Sequence, residues 1–215
     1  MKGGPLLGIL TAVVLTCSVQ LSAQAAAVTT GRERSDSDSW SVSFTSDGYF
    51  VPDSPFVLSP TLIADHGWLH LEGRYNYEER HTGSLWFGIN FSAGQQLTFE
   101  ATPMIGGIFG DIQGVAPGYE VTLSYRRLEL SDTGEYVFDL RERSGSFFYA
   151  WPQLAYSLVD WLQVGFASQH TKAYHTDFDI QRGALVSVGF SHVQFTSYIF
   201  ADHPRPTFVL EVVLK

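Results

Sequence analysis

Residues 69–78 read LHLEGRYNYE, and their side chains alternate between two chemical classes. The odd-numbered positions carry leucine, glycine and tyrosine, whereas the even-numbered positions carry histidine, glutamate, arginine and asparagine. Successive residues of a β-strand point to opposite faces, so this stretch builds one apolar face and one largely charged face. It therefore predicts a strand that presents different chemistry on its two sides.

The same alternation recurs to the end of the chain. It indicates roughly ten strands, near residues 66–78, 83–91, 95–105, 118–130, 134–142, 146–157, 161–171, 182–190, 193–201 and 206–215. The predicted fold class is all-β: a transmembrane up-and-down antiparallel β-barrel of about ten strands, with eight as the other possibility.

The connections between these strands also alternate in character. Residues 92–95, 131–134, 158–160 and 191–192 read as tight turns, whereas residues 106–117 and 172–181 read as longer loops at the opposite end. Short periplasmic turns and longer outer loops are typical of outer-membrane barrels. Several apolar rows also end in tyrosine or phenylalanine, as an interfacial aromatic girdle requires. We therefore expect the apolar rows to face lipid.

The N-terminus has the pattern of an export signal. A lysine at position 2 precedes an uncharged, mostly apolar run over residues 6–21, and SAQAAA follows at residues 22–27. This pattern predicts a secretory signal peptide over residues 1–27, with cleavage after Ala25 or Ala27. The only cysteine lies within the predicted signal, so the mature chain is expected to contain no disulfide.

Two further segments follow the predicted signal. Residues 28–60 are polar and proline-punctuated, and we interpret them as an N-terminal periplasmic linker. The alternation in residues 40–44 leaves open a short extra strand there. Residues 61–215 form the predicted barrel.

The charge balance excludes one class of partner. The chain carries 22 Asp and Glu residues against 13 Lys and Arg residues, which gives a net charge of −9. An acidic chain without a basic patch is not expected to bind nucleic acid.

The polar rows point to the interior of the predicted barrel. The candidates to line the lumen are Glu72, Arg74, Glu100, Glu120, Arg126, Asp139, Arg141 and Glu211. Charges of both signs in a narrow lumen must pair, because burying an unpaired charge is costly. A closed barrel filled by such pairs is the interpretation that we favour for eight to ten strands, and a water-filled pore is the alternative. Because acids outnumber bases in this set, any pore should prefer cations.

The whole pattern resembles the small outer-membrane β-barrel proteins of Gram-negative bacteria. The resemblance covers residues 61–215, and the segments FFYAW at 147–151 and DFDIQRG at 177–183 resemble uncharacterised proteobacterial barrel proteins. It implies an outer-membrane location reached by secretion through the inner membrane. The implied partners are outer-membrane lipids and the barrel-assembly machinery, and the implied state is a monomer. It supplies no activity, so we expect a structural or small-solute-channel role.

Two other functions remain open. A soluble periplasmic barrel that carries an apolar ligand shows the same alternation with its apolar face inside. A lipid-modifying barrel enzyme would need a nucleophile and a histidine near the outer rim. The candidates for that chemistry are Ser168, His170, His175, Asp177 and Asp179. No motif supports catalysis, so we predict a protein that is not an enzyme.

No cofactor or metal site is predicted. His66 and His70 share a strand face but are about 13 Å apart along a regular strand, which is too far for joint ligation. The glycine-rich residues 106–110 lack the Lys-Ser/Thr of a phosphate-binding loop.

Overall fold

The chain forms one closed antiparallel barrel. The computed structural model describes residues 39–173, 179–201 and 205–215. The strands are β1 Ser41–Phe50, β2 Val57–His66, β3 Leu69–Tyr75, β4 Thr82–Ile89, β5 Phe91–Gly94, β6 Leu97–Gly110, β7 Gly114–Tyr125, β8 Leu128–Asp139, β9 Phe147–Val159, β10 Leu162–Ala173, β11 Asp179–Phe190, β12 Val193–Phe200 and β13 Thr207–Leu214. Consecutive strands pair with each other except β4 and β5, and β1 pairs with β13 to close the ring.

The barrel has twelve strand positions. Strands β4 and β5 both pair with β6 and are separated only by Asn90, so they form one interrupted strand. The predicted up-and-down antiparallel barrel is confirmed, but the predicted count of about ten strands is wrong. The sequence pattern left β1 open as a short extra strand over residues 40–44 and missed β2, because the outward positions of these two strands are less regularly apolar than those of later strands.

Those two strands lie partly within the segment predicted as a linker. Residues 41–50 pair with both β2 and β13, and residues 57–60 begin β2. The barrel therefore begins at Ser41 rather than at residue 61. The predicted signal peptide over residues 1–27 lies outside the described residues, as does the first part of the predicted linker.

The two ends of the barrel differ in their connections. At one end, five turns of two residues each join the strands, at 67–68, 95–96, 126–127, 160–161 and 191–192. At the other end, the loops 51–56, 76–81, 111–113 and 140–146 have three to seven residues. The predicted asymmetry is present, and we call these the short-turn end and the loop end.

Two predicted connections are instead parts of strands. Residues 131–134 lie inside β8, because the hairpin turns earlier, at Arg126, which has a positive φ of 55°. Residues 106–117, predicted as a loop, mostly continue β6 and β7, with only residues 111–113 between them. Gly106, for example, lies within β6, where the absence of a side chain leaves room for the Trp86 ring inside the barrel.

The apolar rows face outwards. Phe166 is 71% exposed and Leu85 is 66% exposed, whereas inward residues such as His70 and Thr82 are fully buried. A soluble carrier of an apolar ligand needs the opposite arrangement, so this alternative does not fit the barrel. No helix among the described residues has the length and apolarity needed to cross a membrane.

Candidate functional site: the acidic lumen

Two packed clusters fill opposite sides of the lumen. One lies on the strands β9 to β13 and contains Trp151, Ala155, Ala167, Leu185, Tyr198, Phe200 and Val209. The other lies on β4 to β8 and contains Trp86, Met104, Ile108, Ala116 and Val137. A cavity of about 160 Å³ is lined by residues from both sides of the barrel. This cavity is the candidate functional site.

Arg74 is the centre of the ionic network beside the cavity. Its Nε and Nη2 atoms donate to the two carboxylate oxygens of Glu72, each at 2.9 Å, and Nη1 donates to Glu135 Oε2 at 2.8 Å. Its guanidinium carbon also lies 4.4 Å from the ring centroids of both Tyr77 and Trp86. Such two-fold pairing between planar groups fixes orientation as well as charge. Arg74 thus links β3 to β8 across the lumen.

Two residues of the loop 76–81, Tyr77 and Glu78, turn into the barrel, whereas residues 79–81 are exposed. Asn76 and His81 both have a positive φ of 56°, and the Asn76 side-chain oxygen accepts from the His81 backbone N–H at 2.8 Å. The turn carries Glu78 to the wall, where its carboxylate accepts from Ser84 Oγ at 2.5 Å and from Trp86 Nε1 at 3.3 Å. The loop therefore narrows the lumen from the loop end.

Two glycines shape the wall under Trp86. A Cβ built on Gly106 would lie 2.5 Å from the indole ring, and one built on Gly118 would lie 2.8 Å from it. These positions need glycine because the ring lies flat against the strands. Because the ring lies flat, its inner face contacts the Arg74 guanidinium.

Aromatic rings fill the opposite side of the lumen. Trp151 lies edge-on to Tyr198 and Phe200, with ring centroids 5.1 and 6.0 Å apart. Tyr149 lies edge-on to Trp151 at 6.4 Å and to Tyr77 of the inward loop at 6.0 Å. The rings therefore run from the β9–β12 wall to the inward loop, and they limit the cross-section of any path.

The cavity itself is acidic. Of the described residues that line it, Asp47, Glu72, Glu120 and Glu211 carry carboxylates, and Arg74 is the single guanidinium. Asp47 and Glu211 face each other across the closing pair of strands. The Tyr198 hydroxyl donates to Gln153 at 3.2 Å and also lies 3.5 Å from Glu211. A solute in this cavity therefore meets an excess of negative charge.

The structure sorts the eight predicted lumen residues into three groups. Glu72, Arg74, Glu120 and Glu211 line the cavity together. Glu100 is half-buried on β6, opposite Thr122.

The remaining three lie at the ends of the barrel. Arg126 is exposed in the turn 126–127, with its guanidinium 5.2 Å from the Tyr125 ring. Asp139 ends β8, where its carboxylate accepts from the backbone N–H groups of Arg141 and Glu142. Arg141 is exposed in that loop. These three residues do not line the cavity because they lie at or beyond the ends of the strands.

Several residues of the site were not predicted as lumen residues, because the strands around them were placed wrongly. Asp47 and Asp65 lie on β1 and β2, and Glu135 lies beside a misplaced turn. The alternation placed Tyr77 and Glu78 in a strand over residues 66–78, but β3 ends at Tyr75, so both reach the lumen from the loop 76–81.

The candidates for catalysis are only partly brought together. Ser168 Oγ and His170 Nε2 lie 2.8 Å apart on β10, on the outward face. Asp179 lies opposite Thr171 at the start of β11. His175 and Asp177 lie outside the described residues.

Comparisons with known proteins support the architecture. No protein-family model matches the chain, and no curated protein matches its sequence. Two solved structures of the KdgM porin, one free and one in complex with disordered oligogalacturonate, each match with a TM-score of 0.57 and 10% identity. Each alignment covers 80% of this chain and 98% of the porin. OccAB4 of Acinetobacter baumannii matches with a TM-score of 0.45 and 9% identity, covering 78% of this chain and 56% of that one. The likeness to KdgM shows a shared fold.

Proposed function

We propose that the protein is an outer-membrane β-barrel that forms a narrow, cation-preferring channel for small solutes. The acidic cavity carries this proposal, because four carboxylates and one guanidinium line it. Fixed charge in a channel of low dielectric constant raises the local concentration of the opposite ion.

The outer surface supports the membrane location. Large apolar side chains cover the outward face of the strands, as contact with lipid requires. Trp40, Trp68 and Trp161 are exposed and lie near the short-turn end. Tryptophan is enriched where the hydrocarbon region meets water. The short-turn end, where β1 begins and β13 ends, therefore faces the periplasm in this proposal.

The size of the cavity limits the solute. A volume of about 160 Å³ admits several water molecules but no large solute. Arg74, Trp86 and the loop 76–81 close the space on one side. The proposed solutes are hydrated cations and small neutral molecules.

The charge of the cavity also argues against one candidate solute. The KdgM structure is a complex with oligogalacturonate, which is a chain of carboxylate-bearing sugars. Carboxylates such as Asp47 and Glu120 would repel such a polyanion. We therefore propose that the acidic cavity of this chain disfavours oligogalacturonate, although the fold is similar to that of KdgM.

Planar-bilayer recording tests the proposal. We expect a small single-channel conductance, and a reversal potential in a KCl gradient that shows cation preference. Glu120→Gln and Glu211→Gln should each weaken the preference, because each removes one charge from the cavity. Asp160→Asn, in an exposed two-residue turn, is the matched control and should leave it unchanged. Anion selectivity would overturn the assignment of charge.

A closed structural barrel is the second candidate. The bridge from Arg74 to Glu135 and the rings around Trp151 favour it, because they occupy the lumen from both sides. Folded protein that inserts into the bilayer without conducting would support this candidate and overturn the channel.

A further inference from the structure

His70 is held in one orientation beside the acidic cavity. It is fully buried, and its Nδ1 lies 2.9 Å from Asp65 Oδ1. An ionised carboxylate only accepts hydrogen bonds, so Nδ1 carries the hydrogen and Nε2 presents its lone pair in the neutral ring. Asp65 Oδ1 also accepts from the Asn90 amide at 2.8 Å, which fixes the carboxylate in turn.

The other ring nitrogen of His70 faces acidic groups. Among the described residues, Nε2 has no hydrogen-bond partner, and it lies 3.5 Å from Glu72 Oε2. One ligand atom from each of His70, Glu72 and Glu120 lies within 4.8 Å of the other two. A positive charge between this nitrogen and the two carboxylates is electrostatically favourable, and a ring proton or a bound cation supplies it.

We propose that His70, Glu72 and Glu120 bind a Zn²⁺ ion within the lumen. One imidazole nitrogen and two carboxylate oxygens are donors that zinc accepts, and water completes an open site of this kind. Ligand atoms about 2.0–2.2 Å from zinc are roughly 3.3 Å apart in a tetrahedron. His70 Nε2 and Glu72 Oε2, which are 3.5 Å apart, already have nearly this separation. Glu120 has to approach them by at most about 1.5 Å, and it is half-buried and borders the cavity.

Two hydrogen bonds orient the proposed ligands, one from His70 to Asp65 and one from Arg74 to Glu72. Asp65 holds the distal nitrogen of His70, and such a carboxylate–histidine pair orients metal-binding imidazoles and raises their basicity. Arg74 uses Glu72 Oε2 as an acceptor at 2.9 Å, and a carboxylate oxygen has a second lone pair for a metal. Arg74 is the one guanidinium among Asp65, Glu72, Glu120 and its second partner Glu135, so carboxylates are in excess here and a dication would offset part of that excess.

The nature of the donors selects the metal. An imidazole nitrogen favours Zn²⁺ over Mg²⁺ and Ca²⁺, which prefer all-oxygen sites. Glu72 and Glu120 line the cavity, so an ion within it meets two of the three proposed ligands.

Isothermal titration calorimetry of the full chain, folded in detergent, tests the site with ZnCl₂ alone. We expect one Zn²⁺ per chain and at least a tenfold loss of affinity in Glu120→Gln. Asp65→Asn should cost between tenfold and a hundredfold, as orienting residues do. Titration with Co²⁺ gives a second readout, because its visible absorption reports the coordination of the ion.

The control is Asp160→Asn, which removes an exposed carboxylate in the turn 160–161, outside both the cavity and the metal site. Its affinity for Zn²⁺ should equal that of the unsubstituted chain. Absence of binding would overturn the proposal, as would equal losses in Glu120→Gln and Asp160→Asn or equal binding of Mg²⁺. Calorimetry does not depend on conductance, so the metal site and the channel fail or succeed separately. His70 is buried, so His70→Gln is compared only after gel migration that changes on heating has shown that the variant barrel is folded. Glu120 is half-buried, so Glu120→Gln is the deciding variant.

Discussion

Replacing Arg74 by methionine tests the ionic network that crosses the lumen. Methionine keeps much of the length of the side chain but removes three charge-assisted hydrogen bonds to Glu72 and Glu135. Arg74 is only 5% exposed, so water cannot replace those bonds. Breaking a buried ion pair from one side costs about 3–5 kcal/mol, because the remaining carboxylates lose their counter-charge. Contacts between the thioether and the rings of Tyr77 and Trp86 return only part of the lost cation–π attraction.

We therefore expect the free energy of unfolding to fall by about 3–5 kcal/mol in Arg74→Met. The measurement is urea unfolding in phospholipid vesicles, followed by tryptophan fluorescence and by heat-modifiable migration. Arg74→Lys keeps the charge but not the planar fork, and should lose about 1–2 kcal/mol.

An exposed ion pair supplies the matched control. Arg205 donates to Asp53 at 2.8 Å, but the two side chains are 67% and 80% exposed. Arg205→Met should therefore cost less than about 1 kcal/mol. A loss in Arg74→Met no larger than that in Arg205→Met would refute the view that the network stabilises the barrel.

Three further substitutions test other features. Gly106→Ala should cost about 1–3 kcal/mol of unfolding free energy, because the new methyl group meets the Trp86 ring; Gly107→Ala has open space and should be neutral, and equal losses would contradict the packing. Phe166→Arg places a charge on the outward face and should lower the free energy of unfolding in vesicles by about 2–4 kcal/mol. An unchanged free energy of unfolding would contradict the assignment of the outward face to lipid. Glu78→Ala removes the carboxylate that ties the inward loop to Trp86, so bilayer recording should show a larger conductance, and an unchanged conductance would show that the loop does not restrict the path.

The alternation of side chains predicted the architecture because it is a local property. Residues 69–78 alone indicate which face of β3 is polar, and Glu72 and Arg74 lie buried on that face. The predicted number of strands was too low because the alternation is weak in β1 and β2. Pro60 interrupts the pattern in β2, although it lies within that strand opposite Ser46.

The candidate site was harder to predict because its contacts join distant parts of the chain. Glu135 meets Arg74 only after β3 and β8 have taken their places in the ring. Residues 131–134 have the composition of a turn but lie within β8. Gly134 is needed there because the Tyr119 ring lies against its backbone. Local chemistry cannot distinguish a glycine that turns the chain from a glycine that accommodates a ring.

The pairing of β1 with β13 has a consequence for the order in which the barrel assembles. It joins the first and last strands, so its loop-closure entropy exceeds that of any hairpin in the ring. Asp47 and Glu211 lie directly opposite each other at this junction, and like charges in that position destabilise a strand pair. We expect the ring to close here last and to open here first. Amide hydrogen exchange should therefore be faster along β1 and β13 than along β9 and β10.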